Sequence, residues 1–159
     1  MKRFLLLTVL LTTLLLAGLA QAEVRPYVAG SLKAIEGEQR GQPFILTFWS
    51  ATCTHCPTEL KALGELVRQH PKLKLVIVAT DTPAETPELQ RLAQTYGLAG
   101  QAQWVFADAQ PERLRYEIDR RWYGELPRTY FYDRQHRREG RSGAVPVEQL
   151  ERWAGEHVK

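Results

Sequence analysis

The chain has 159 residues, of which 25% are charged, with 21 Lys and Arg against 18 Asp and Glu and a formal net charge of +3. So even a balance excludes a strongly basic nucleic-acid binder, and 44% hydrophobic residues exclude a disordered polar chain. Two cysteines exclude a framework of several structural disulfides.

Met1-Lys2-Arg3 is a short basic start, residues 4–16 carry no charge, and Ala20-Gln21-Ala22 is a small-x-small site. This order predicts a secretory signal peptide over residues 1–22, cleaved after Ala22. A retained membrane anchor is the competing reading. The apolar run is short for a span of about 20 residues and is interrupted by Thr8, Thr12 and Thr13. Cleavage leaves one domain, residues 23–159, and removes Lys2 and Arg3, so the net charge falls to about +1. Export places that domain in the periplasm.

Residues 27–32 are expected to form a short edge strand, followed by a brief helical or turn segment over residues 33–40. Gly41-Gln42-Pro43 is a turn. Residues 44–49 (FILTFW) are apolar on both faces, as a covered central strand requires. Leu60, Leu63, Leu66 and Val67 then recur at helical spacing up to Pro71. Residues 73–79 (LKLVIVA) read as a second strand. Thr82-Pro83-Ala84-Glu85 has the form of a capping box, and the helix after it ends at Gly97. A strand over residues 104–107 and a helix opened by Pro111 follow. Residues 128–133 (RTYFYD) and 136–143 form a hairpin, and a last helix carries Val147, Leu150, Trp153 and Ala154 on one face. Arg134, His136, Arg137, Arg138 and Arg141 make the hairpin basic, either as a solvated surface or as a docking patch for an acidic partner.

Cys53-Thr54-His55-Cys56 stands where the predicted central strand gives way to a helix. Thiols at this spacing close a small ring, and the unpaired N–H groups of a helix start favour a thiolate there. Such a ring is too short to stabilise the fold much by loop closure, which argues against a structural bridge. Structural zinc needs more ligands than His55, His70, His136 and His157 supply at zinc-site spacing. Haem attachment needs histidine directly after the second cysteine, where Pro57 stands. A reactive redox pair remains.

Phe48-Trp49-Ser50-Ala51-Thr52-Cys53-Thr54-His55-Cys56-Pro57 resembles the active-site segment of thioredoxin-fold proteins. Gly124-Glu125-Leu126-Pro127-Arg128-Thr129 resembles their later glycine–proline–threonine segment. In order and spacing the chain is most similar to the exported TlpA/ResA branch. The resemblance implies an α/β, thioredoxin-like fold, with a central mixed β-sheet flanked by helices. It implies that Cys53 is the exposed nucleophile and Cys56 the buried resolving thiol, exchanging disulfides through a mixed disulfide. Pro127 is then the cis-proline, and the Leu126 backbone pairs with a substrate strand. Trp49 would be a platform under the site, counted with Leu126 and Pro127 as substrate-binding. Relatives often carry an acid where Thr47 stands and a second tryptophan where Thr52 stands. Glu125 is the nearest candidate in sequence for a replacement proton relay.

The expected function is an exported protein-disulfide oxidoreductase without a dissociable cofactor or nucleic-acid partner. Its clients are cysteine-containing envelope proteins, and a membrane or periplasmic redox partner recycles it. Family resemblance favours a reductase, including one acting in c-type cytochrome maturation. The Thr54-His55 dipeptide resembles that of the oxidase DsbA, and His55 could modulate the Cys53 thiolate. A copper metallochaperone using Cys53, Cys56 and His136 is the alternative from another class.

Overall fold

The computed structural model describes residues 22–158. The predicted signal peptide, apart from Ala22, lies outside the described residues.

Six strands form one sheet in the order β1-β4-β3-β2-β5-β6. The strands are β1 (Val24–Tyr27), β2 (Phe44–Trp49), β3 (Lys74–Ala79), β4 (Ala102–Phe106), β5 (Arg128–Tyr132) and β6 (Arg138–Ser142). The first four run parallel, and β5 and β6 run antiparallel to their neighbours, so the sheet is mixed. The helices are α1 (Ser31–Glu38), α2 (Cys56–Gln69), α3 (Thr86–Thr95), α4 (Pro111–Ile118) and α5 (Val147–His157).

Side-chain alternation along β2 divides the core. Phe44, Leu46 and Phe48 pack on one face with Leu32 and Ile35 of α1 and Leu114 and Ile118 of α4. Ile45 and Trp49 pack on the other with Leu60, Leu63 and Leu66 of α2, Leu89 of α3 and Leu150 of α5. Both faces of β2 are therefore covered, which is why its sequence carries no polar alternation.

Two details depart from the sequence expectations. The first strand is Val24–Tyr27 and shares only Tyr27 with the predicted 27–32 segment, because Gly30 turns the chain with φ +86° and the Ser31 hydroxyl accepts the Val28 N–H. Val147 is 54% exposed, because it opens α5 before the face of Leu150 and Ala154 meets the sheet. The basic hairpin is largely self-satisfied. Arg137 binds Asp133, Arg141 binds Glu139, and Arg138 donates to the Tyr132 hydroxyl and the Ile118 carbonyl.

Both sheet edges resist further pairing. β1 carries Pro26, which lacks an N–H, and β6 (REGRS) alternates charges along an exposed edge.

Candidate functional site

Parallel pairing aligns Trp49 at the end of β2 with Ala79 at the end of β3. The antiparallel pair Phe48–Arg128 brings the start of β5 to the same end of the sheet. Three chain segments converge there: residues 50–56 after β2, residues 80–81 after β3 and residues 122–127 before β5.

Cys53 and Cys56 are joined as a disulfide in this loop-to-helix junction. Cys53 is half-buried, whereas Cys56, the first residue of α2, is fully buried. The backbone N–H of Cys56 donates to Cys53 Sγ at 3.1 Å. The same N–H also reaches the Cys53 carbonyl at 3.3 Å, so the helix start shares it between that oxygen and the accessible sulfur, and the positive end of the helix dipole lies beneath them. Pro57 sits in the first turn, where its missing N–H breaks no helical bond. His55 is exposed at the N-cap position.

The Leu126–Pro127 peptide is cis. Pro127 is buried, and Leu126 packs against the clusters on both sheet faces. The loop before it is held by two hydrogen bonds. Trp122 Nε1 donates to the Glu125 carbonyl at 2.9 Å, and the Tyr123 N–H donates to Glu125 Oε2 at 3.0 Å. Glu125 itself is exposed. Trp49 is only 2% exposed, so it supports the loop from within the core and offers a client almost no surface.

The buried acid of the site is Glu59, in the first turn of α2 and 0% exposed. It lies three positions after Cys56, on the same side of the helix. Its Oε1 accepts the Thr129 hydroxyl at 2.8 Å and its Oε2 accepts the Val145 N–H at 2.7 Å. Thr129 Oγ1 lies 3.1 Å from Thr47 Oγ1 across the β2–β5 pair. Since the Thr129 proton points to Glu59, Thr47 donates to Thr129. Burial pushes the Glu59 carboxyl above the usual carboxylate range, and the two hydrogen bonds only partly offset it.

Glu59 was legible in part. Positions 56, 59, 60, 63 and 66 share the buried helical face, so an acid at 59 stands out on an apolar stripe. Its partners Thr129 and Val145 come from distant strand and loop positions that no local pattern identifies.

The copper reading requires a correction. His136 lies in the β5–β6 turn at φ 58°, and its ring nitrogen contacts the Gln39 carbonyl at 3.0 Å. That turn follows Tyr132, which pairs with Phe44 at the opposite end of β2 from the cysteines. The length of β2 therefore separates His136 from Cys53, roughly 15 Å or more at about 3.3 Å per residue, so the three groups cannot share one ion.

Several solved structures share this architecture. A secreted Mycobacterium tuberculosis disulfide oxidoreductase homologous to E. coli DsbE is 20% identical, with a TM-score of 0.61 over 76% of this chain and 85% of that one. A thiol:disulfide interchange protein of the thioredoxin family from Chlorobium tepidum is 13% identical, with a TM-score of 0.62 over 78% and 85%. StoA from Bacillus subtilis is 22% identical, with a TM-score of 0.53 over 72% and 84%. At these identities the likeness establishes the fold, which is thioredoxin-like. No curated protein matches the chain in sequence. The AhpC/TSA family matches residues 30–137, well over half of the sequence, and the chain belongs to that family.

Proposed function

We propose that this thiol-disulfide oxidoreductase works in the cell envelope as a reductase of protein disulfides, with apocytochrome cysteines in c-type cytochrome maturation among its clients. The observation that carries the chemistry is the half-buried Cys53 sulfur receiving the Cys56 N–H, beside a fully buried Cys56. The resemblance to the TlpA/ResA branch supports the reducing direction, and the predicted signal peptide supports export.

In the reducing direction the Cys53 thiolate attacks one sulfur of a client disulfide. A mixed disulfide forms, and the first client sulfur leaves as a thiolate that takes a proton from solvent. Cys56 then gives up its proton and attacks Cys53 Sγ. The mixed bond breaks, the second client sulfur leaves, and the Cys53–Cys56 disulfide holds the oxidised state. Two electrons have passed to the client, and a reducing partner in the membrane or periplasm must return them.

Cys56 is buried, so its proton needs a local acceptor. Glu59 is the buried carboxylate on the same helical face, and we assign it the proton transfer in preference to the exposed Glu125. Leu126 and Pro127 form the docking edge for the client strand, and His55 modulates the Cys53 thiolate.

A Cys56→Ser variant tests this reading, because it arrests exchange at the first step. It should accumulate covalent adducts with envelope proteins that are released by dithiothreitol. The reduction potential of the unmodified pair decides direction: a value near thioredoxin's, about −270 mV, supports a reductase, and one near DsbA's, about −120 mV, an oxidase. Absence of any adduct would sink the assignment.

A further inference from the structure

Asp81 follows β3 and turns back over the segment that leads into Cys53. Its Oδ1 accepts the Ser50 hydroxyl at 3.0 Å. The Ala51 N–H approaches both carboxylate oxygens, at 3.3 and 3.2 Å. Ser50 Oγ in turn accepts the Thr52 N–H at 3.1 Å and lies 3.0 Å from the Thr52 hydroxyl. The Cys53 N–H closes the turn onto the Ser50 carbonyl at 3.2 Å. Thr52, where relatives often carry tryptophan, thus belongs to a polar network anchored on one carboxylate.

That carboxylate has no cation beside it. Among the described residues, no Lys, Arg or His nitrogen lies within ion-pair distance of Asp81. Of the other titratable groups near the pair, His55 is exposed in the loop and Glu59 is buried on α2. Chain geometry keeps Cys53 Cα within about 7.6 Å of Ala51 Cα, so the Asp81 carboxylate lies at most about 12 Å from Cys53 Cα, comparable to the Debye length of about 10 Å at 0.1 M salt.

We propose that Asp81 is a positioning residue that biases the redox pair toward acting as a reductant: held against the Ser50–Cys53 turn, its charge opposes the negative charge of the reduced Cys53 thiolate. The inference rests on the disulfide-exchange reading above. Destabilising the thiolate favours the disulfide form, so the couple gives electrons more readily. This opposes the Cys56 N–H and the helix dipole, which favour the thiolate. The balance between α2 and Asp81 then sets how strongly the protein reduces.

Asp81→Asn removes the charge and keeps groups able to bond to Ser50 and Ala51. Ser50→Ala keeps the charge and removes one bond. Both variants and the unmodified protein are titrated by thiolate absorbance and equilibrated in glutathione buffers. For Asp81→Asn the Cys53 thiol should ionise at lower pH. Its glutathione equilibrium should move about threefold to tenfold toward the dithiol, the size expected for one partly screened charge at this range. Ser50→Ala should stay within about twofold of the unmodified protein, since its charge is intact. An unshifted Asp81→Asn, or a Ser50→Ala shift as large as that of Asp81→Asn, would overturn the proposal. The thiolate titration reads Asp81 even if no client is ever exchanged. The failure of disulfide exchange itself would instead appear in the unmodified protein's equilibrium with glutathione.

Discussion

A carboxyl without solvent contact is expensive to ionise, and Glu59 occupies such a place with two hydrogen bonds in partial compensation. Because burial raises its folded pKa, the native chain holds this proton more tightly than the unfolded one. Stability from this group is complete below the unfolded value of about 4.3 and is lost as pH rises through the raised folded value. Denaturant melts from pH 4 upward should show this loss in the unmodified protein and its absence in Glu59→Gln, once the constant cost of the Val145 N–H facing an amide is subtracted. The same variant should slow the step in which Cys56 releases the mixed disulfide by about a hundredfold, within the usual range for a general base. Stopped-flow measurement of adduct decay isolates that step. Attack by Cys53 on a small disulfide should change much less.

Helix α2 carries Cys56 and Glu59 and must lie close to its neighbours for both to be held. Gly64 shows how close: a Cβ there would stand 1.9 Å from the Tyr96 carbonyl oxygen, at the end of α3. Gly64→Ala should force the two helices apart and cost about 2–3 kcal/mol, as an overpacked core site does, readable as a lower denaturant midpoint. Beyond α4, Asp119 ties the chain to β5. It binds Arg128 at 3.0 Å, the Arg121 N–H at 2.9 Å and the Tyr130 hydroxyl at 3.3 Å. Burial raises the Asp119 carboxyl, but these bonds and the Arg128 charge outweigh it and leave the group below its ordinary value. Its contribution is present above the unfolded value of about 3.9 and fades as pH falls through the depressed folded value. Asp119→Asn should therefore lose stability at neutral pH and narrow its gap to the unmodified protein in acid melts. Of these elements, the β2 strand and the leucine stripe of α2 were readable from spacing. The Gly64–Tyr96 contact was not, because nothing in either helix reports the separation between them.

Across the whole domain, exposed aromatic surface stands next to the redox loop. Tyr123 is 89% exposed on the segment that leads to the cis peptide, held outward while Trp122 packs against Phe48. A client strand on the Leu126–Pro127 edge would run past it. Tyr123→Ala should lower kcat/KM for a protein disulfide by about tenfold, in the range of an interface aromatic, and leave exchange with glutathione unchanged. Equal losses on both substrates would point to a folding defect instead. The far end of the sheet has a different character. There His136 packs edge-on against Phe44 and bonds to Gln39, closing the hairpin onto α1.

The sequence by itself determined the redox pair, the strand and helix that flank it, the proline opposite and the alternating α/β order. The pair, its flanking elements and the α/β order are written in neighbouring residues as a spacing, a period or a breaker, whereas the proline came through the resemblance of the Gly124–Thr129 segment to thioredoxin-fold proteins. Only the tertiary structure decided which acid is buried below the pair, which carboxylate holds its loop and whether His136 could join it. Those are meetings between positions as distant as Glu59 and Thr129, or Ser50 and Asp81. Strand register and burial settle them, and neither is a property of any short stretch of chain.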